Sequence, residues 1–230
     1  MKRALVLVLL LALAPTAACN GSSKKPAALG YHGVEPDPKP SRPSFVLTDI
    51  DGRSYDFAAE TKGRPTYLYF GYTHCPDECP TAMADIAVAL RKAPKAERDK
   101  AVVVFVTTDP KRDSPAVLRR WLDQFSTSFV GLLGNDAQIA KAETASGVAI
   151  AEPGAPIPTI AGHPDEHPTE PGAPITHKHF GPLGYSVTHS AVILAYDADD
   201  RLPVLYPGGV TVSDIANDLP LLLDPARASR

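Results

Sequence analysis

Residues 101–107 read Ala-Val-Val-Val-Phe-Val-Thr, an apolar run closed by one hydroxyl residue. A short β-branched run of this kind suits a strand covered on both faces, because no alternation marks one face as wet. Such a strand needs a sheet with helices on each side, and the rest of the chain supplies both. Thr66–Tyr72 (TYLYFGY) is aromatic and β-prone. Phe45–Ile50 and Ser54–Phe57 flank the turn signal Asp51-Gly52 and predict an N-terminal β-hairpin. Met83, Ile86, Ala87 and Leu90 fall on one face of a helix expected from about Pro80 to Ala93. Ser114-Pro115 opens a second helix with a capping hydroxyl and a first-turn proline. A third runs from an Asn135 cap to Gly147, after a short strand at Phe129–Leu132. Val187–Tyr196 and Leu202–Tyr206 read as two more strands, and Thr211–Leu223 as a last amphipathic helix. Strands alternating with helices predict an α/β domain, a central mixed sheet flanked by helices.

The chain has 230 residues and a net charge of -3, so no basic surplus supports nucleic-acid binding. Lys2 and Arg3, an apolar run over 4–14 and small residues after it read as an export signal, too short to span a bilayer comfortably. Ala17-Ala18-Cys19 resembles a bacterial lipobox, in which the cysteine is lipidated and becomes the N-terminus, although Pro15 and Thr16 depart from the usual pattern. The plainer alternative is an ordinary signal peptide with a chance cysteine. The expected organisation is a signal over 1–19, a flexible tether over 20–43 with five prolines, and one folded domain over 44–225. The expected location is the extracytoplasmic face of a membrane, held by a lipid anchor at Cys19. Residues 151–176 carry seven prolines and three glycines with almost no apolar periodicity, so a loop insertion is expected over 151–182. His163, His167, His177 and His179 lie in or beside it; a solvated linker and a weak Cu(II) trap are the competing readings.

Three cysteines cannot all pair within the chain, and a domain of this size needs no disulfide staple. With Cys19 set aside, Cys75 and Cys79 remain, at the junction between a strand and the start of a helix. Three intervening residues put the sulfurs about one helical turn apart, where they can bond each other or grip one ion. The positive helix N-terminus favours thiolate, the form that attacks disulfides and binds metal. An inert disulfide closing so short a loop removes little chain entropy. Spacing alone leaves redox exchange and binding of a soft metal equally open.

The segment Gly71-Tyr72-Thr73-His74-Cys75-Pro76-Asp77-Glu78-Cys79-Pro80 resembles the signature of the Sco/SenC family of copper-binding thioredoxin-fold proteins. Two further blocks follow in order. Thr107–Pro115 resembles the family's D-P-x-R-D-[ST]-P segment, and Tyr185-Ser186-Val187-Thr188-His189-Ser190 its Y-x-V-D-H-[ST]. The resemblance covers roughly 45–223 and implies a thioredoxin-like fold. It implies a mononuclear copper site, Cu(I) or Cu(II), with Cys75, Cys79 and His189 as ligands. Thr188 stands where the family has Asp, which removes a carboxylate suited to orienting the imidazole or tuning charge at the metal. Asp109 and Asp113 are further candidates, with turn formation and helix capping as the plainer account of both.

Two functions follow from the resemblance. One is a copper metallochaperone that helps load the binuclear copper centre of cytochrome c oxidase, with the oxidase copper-site subunit as receiver and another copper chaperone as donor. The other is a thiol–disulfide reductase that keeps the oxidase copper-site cysteines reduced, with Cys75 attacking and Cys79 resolving. A peroxiredoxin-like peroxidase fits less well, because the P-x-x-x-[TS]-x-x-C placement of a peroxidatic cysteine is missing.

Overall fold

The computed structural model describes residues 30–154 and 185–228. The signal, Cys19, most of the insertion and its four histidines lie outside the described residues.

The hairpin forms as β1 (Val46–Asp49) and β2 (Ser54–Asp56), paired antiparallel. Phe57 does not continue β2. Asp56 accepts from the Ala59 N–H and caps a five-residue helix, α1 (Phe57–Thr61), that buries Phe57. β3 (Thr66–Gly71) follows, and then α2 (Glu78–Lys92), which starts two residues earlier than its apolar stripe suggests and so takes Cys79 into its first turn. A single-turn helix, α3 (Lys95–Arg98), leads to β4 (Val102–Thr107). α4 (Pro115–Leu122) begins at its Ser114 cap, β5 is Val130–Leu133, and α5 (Asp136–Ser146) runs from an Asn135–Gln138 capping box to a left-handed Gly147. β6 (Glu152–Pro153), β7 (Val187–Thr188), β8 (Val192–Tyr196), β9 (Val204–Pro207) and α6 (Val212–Leu223) complete the order.

Seven strands form one mixed sheet in the order β2-β1-β5-β4-β3-β8-β9. β3, β4 and β5 are parallel, with Gly71 opposite Thr107; β8 and β9 continue antiparallel beyond β3. Every residue of β3 and β4 is buried, as the continuous apolar runs predict. α2, α4 and α6 cover one face, where Tyr67, Tyr69, Val103 and Phe105 point. α1 and α5 cover the other, with Leu68, Phe70, Val104 and Val106. The fold is thioredoxin-like.

Two expectations need correction. Val187–Tyr196 is not one strand: β7 pairs with β6 in a separate two-stranded sheet, and residues 189–191 pair with neither before β8 joins the main sheet. The part of the expected tether that the structure describes is also not loose. Residues 30–43 lie against the domain, with a backbone bridge from Val34 to Leu205, another from Ser41 to Arg201, and Tyr31 buried. His32 binds the fully buried Asp218 of α6 through its backbone N–H (2.8 Å) and through Nδ1 (2.5 Å). The prolines that suggest a loose linker suit an extended strip that needs few backbone donors.

Candidate metal centre

β3 delivers the site. Its last residue, Gly71, is followed by the loop 72–77 and then by α2, so Cys75 lies in the loop and Cys79 in the first helical turn. Gly71 is required by close approach: a Cβ there would sit 2.7 Å from Cys79 Sγ and 2.8 Å from the Tyr69 ring. The loop is pinned by Asp113, fully buried, which accepts from the Thr73 N–H (3.0 Å), Thr73 Oγ1 (2.5 Å) and Thr107 Oγ1 (2.6 Å). The cap of α4 is left to Ser114, so Asp113 holds the cysteine loop and is not the helix cap.

The break between β7 and β8 brings His189 over the sulfurs. Its Nε2 lies 3.5 Å from Cys79 Sγ and 4.0 Å from Cys75 Sγ. The three donor atoms fall within 4.8 Å of one another, and no other such cluster of His, Cys, Asp and Glu occurs among the described residues. Tyr69 and Tyr72 meet the imidazole edge-on, with ring centroids 6.1 and 5.6 Å away. The structure thus gathers the three side chains named from sequence and leaves Thr188 exposed and turned to β6. A buried carboxylate still stands near His189, that of Glu143 from α5, held by the Ala151 N–H at 3.1 Å. Burial pushes the Glu143 carboxyl up; the Ala151 bond and the nearby imidazole pull it partly back.

The two cysteines differ. Both are free; Cys75 is half-buried and Cys79 is buried. Hydrogen bonding from Cys79 holds the Cys75 thiol well below its ordinary range, against the effect of burial, with help from His189 and the backbone N–H groups of Asp77 and Cys79. Burial, and then the neighbouring Cys75, push Cys79 up. The two shifts run in opposite directions, so thiolate is favoured at Cys75 over Cys79. His189 Nδ1 is buried without a hydrogen-bond partner. Two sulfurs and an imidazole converging at one point are a donor set that fits Cu(I), and Cu(II) once a fourth donor is present.

A family model described as SCO1/SenC matches residues 34–164. The chain belongs to the SCO1/SenC family. An SCO2-like protein of Rickettsia felis is 42% identical over 98 residues, covering 41% of this chain and 45% of that protein. The aligned region thus spans less than half the length of that relative. The copper-bound structure of Bradyrhizobium japonicum ScoI covers 80% of this chain and all of its own, at 33% identity and a TM-score of 0.60. Apo Sco1 of Thermus thermophilus matches at a TM-score of 0.65 and 26% identity, covering 84% and 97% of the two chains.

Sequence reasoning missed Arg112, Tyr185, Tyr69 and Glu143 as parts of this site. Arg112 and Tyr185 stand inside the quoted blocks, so the signal was present. Tyr69 reads as an ordinary strand aromatic, and Glu143 sits on a helix with no local mark.

Proposed function

We propose that this chain is an extracytoplasmic copper metallochaperone that takes copper as cargo on Cys75, Cys79 and His189. It would deliver that copper toward the binuclear copper centre of cytochrome c oxidase, with the copper-site subunit as receiver. The observation that carries the reading is the convergence of the three donor atoms at the end of β3. Family membership supports the oxidase as target and the copper-bound relative supports the metal. The site suits transfer. Hydrogen bonding from Cys79 and His189 favours the thiolate at Cys75, which is only partly buried, so copper can enter or leave on that side by ligand exchange. Cys79 is fully buried in the first turn of α2, packed where Gly71 leaves it room, and Tyr69 and Tyr72 flank the His189 imidazole, so these two ligands keep their places. A lipid anchor at Cys19, an export signal over 1–19 and one domain to about 225 belong to the same proposal. No helix among the described residues is long and apolar enough to cross a membrane.

The unequal cysteines favour one second reading, a thiol–disulfide reductase. The Cys75 thiolate would attack one sulfur of an oxidised partner and expel the other as thiolate. Cys79, losing its proton, would then close the Cys75–Cys79 disulfide and release the reduced partner.

Copper titration of the full chain separates the readings. The wild type is expected to bind one tight equivalent with sulfur-to-Cu(II) charge-transfer bands in the visible. Cys75→Ser should abolish the bands, and His189→Ala should weaken and shift them. An unchanged spectrum in His189→Ala removes the histidine as a ligand, and full reductase activity in that variant favours the second reading.

A further inference from the structure

The chain around His189 is poorly supported by its own secondary structure. β7 is two residues long, and 189–191 belong to no ladder. On the far side Ser190 Oγ accepts from the Ala149 N–H at 3.1 Å. On the near side the support comes from a turn 73 residues away in sequence, over Asp109–Asp113. We propose that the Asp109–Arg112 pair is a clasp that positions the third ligand, gripping Tyr185 and thereby setting where His189 stands over the two sulfurs. The inference rests on the copper reading and names residues that touch neither sulfur nor imidazole.

The clasp is closed on both partners. Arg112 Nε binds Asp109, and both side chains are almost wholly buried, 2% and 3% exposed. Arg112 Nη1 donates to the Tyr185 carbonyl at 3.0 Å, and the Tyr185 hydroxyl donates to Asp109 Oδ1 at 2.8 Å. One member of the pair thus holds the Tyr185 backbone and the other holds its side chain. The guanidinium lies 3.8 Å from the Tyr185 ring centroid and 5.5 Å from that of Tyr72. Tyr72 in turn meets His189 edge-on. A planar guanidinium is suited to this place: it stacks and donates along fixed directions, which an ammonium cannot.

The same turn grips the other ligand loop. Asp113 holds Thr73, two residues before Cys75, while Arg112 and Asp109 hold Tyr185, four residues before His189. The turn is braced by a backbone bond from Asp113 N–H to the Asp109 carbonyl (3.0 Å) and by the Asp109 N–H donating to the Thr107 side-chain Oγ1 (3.0 Å). Copper geometry is thereby set by one five-residue segment bound to both loops. A buried ion pair adds little net stability compared with a packed apolar pair, so what this one contributes is orientation. Arg112 is a positioning residue.

The test is a double-mutant cycle on the full chain, joining Arg112→Gln with His189→Ala. Copper affinity is read by chelator competition, and histidine nitrogen coupling by electron paramagnetic resonance of the Cu(II) form. The clasp predicts that Arg112→Gln loses the nitrogen coupling while keeping the sulfur charge-transfer bands. It predicts that the double variant binds within about twofold of His189→Ala alone, because the second change removes an interaction already lost. Additive losses, or full nitrogen coupling in Arg112→Gln, overturn it. Arg112→Lys, which keeps charge but not the fork, should recover only part of the coupling. Should Arg112→Gln fail to fold, Tyr185→Phe enters the same cycle, since it deletes only the bond to Asp109. In metal-free protein, proton resonances of the His189 ring should carry shifts from the Tyr69 and Tyr72 rings and lose them in Arg112→Gln. That readout still decides the clasp if the wild type takes up no copper, an outcome that would instead sink the copper reading.

Discussion

β3 is buried on both sides, but its two sides are different materials. Leu68 and Phe70 enter a core of Phe45, Phe57, Val104, Val106, Leu132 and Leu194, in which Tyr196 is the one buried tyrosine. Phe45 and Phe57 stack there at 4.7 Å. Tyr67 and Tyr69 enter a core that also holds Tyr31, Tyr72, Tyr206, Cys79 and Met83. The Tyr67 hydroxyl is buried without a hydrogen-bond partner and that of Tyr69 has only the weakly accepting Cys79 sulfur, a cost that the other face avoids. The apolar side is built to hold, and the tyrosine side gives up some stability to surround two sulfurs and an imidazole. One six-residue strand keeps the tasks apart because side chains alternate across a sheet.

Three substitutions put that contrast to the test. Phe70→Ala strikes the apolar side, at a ring 1% exposed. It should cost about 3–5 kcal/mol in denaturant unfolding, yet leave copper stoichiometry and spectrum unchanged below the transition. A changed spectrum would show that the faces are not separable. Gly71→Ala strikes the tyrosine side, where the new methyl would sit 2.7 Å from Cys79 Sγ. Overpacking should cost about 1–3 kcal/mol, and the visible bands should move because the sulfur must shift. A wild-type spectrum would contradict the close-approach argument. The smallest effect belongs to His32, whose partner Asp218 also accepts from Tyr206 at 2.8 Å. The hydrogen bond to Asp218 raises the His32 pKa above 6.5, with Asp214 adding to it and partial burial opposing. Its contribution to stability is therefore complete below pH 6.5 and fades as pH climbs through the raised value. The imidazole is 44% exposed, so solvent screening keeps the effect slight. Denaturation midpoints from pH 6 to 9 should converge for wild type and His32→Gln at the alkaline end, and parallel curves would remove the pair as a titrating contact.

What could be read from sequence was what is written locally. The two apolar runs, the Ser114 and Asn135 caps and the Gly147 stop each carry their cause within a few residues, and all stand where expected. α1 escaped because five residues are too few to show a period. The belt over 30–43 escaped because its prolines describe its chain and not its partner, β9. The break after β7 escaped for a deeper reason: Val187–Tyr196 is β-prone throughout, and only the absence of a neighbouring strand at 189–191 marks the interruption. Arg112 and Tyr185 meet only in the folded chain, so sequence could show each and not the contact between them.

The belt has a further consequence for reach. If Cys19 is the point of attachment to a membrane, the chain between anchor and domain reaches no further than Gly30, ahead of the buried Tyr31. Eleven peptide steps extend to roughly 35–40 Å, against roughly 85 Å for a run free to residue 43. The docked strip more than halves the leash, so an anchor at Cys19 would keep the domain within a shell close to the lipid surface.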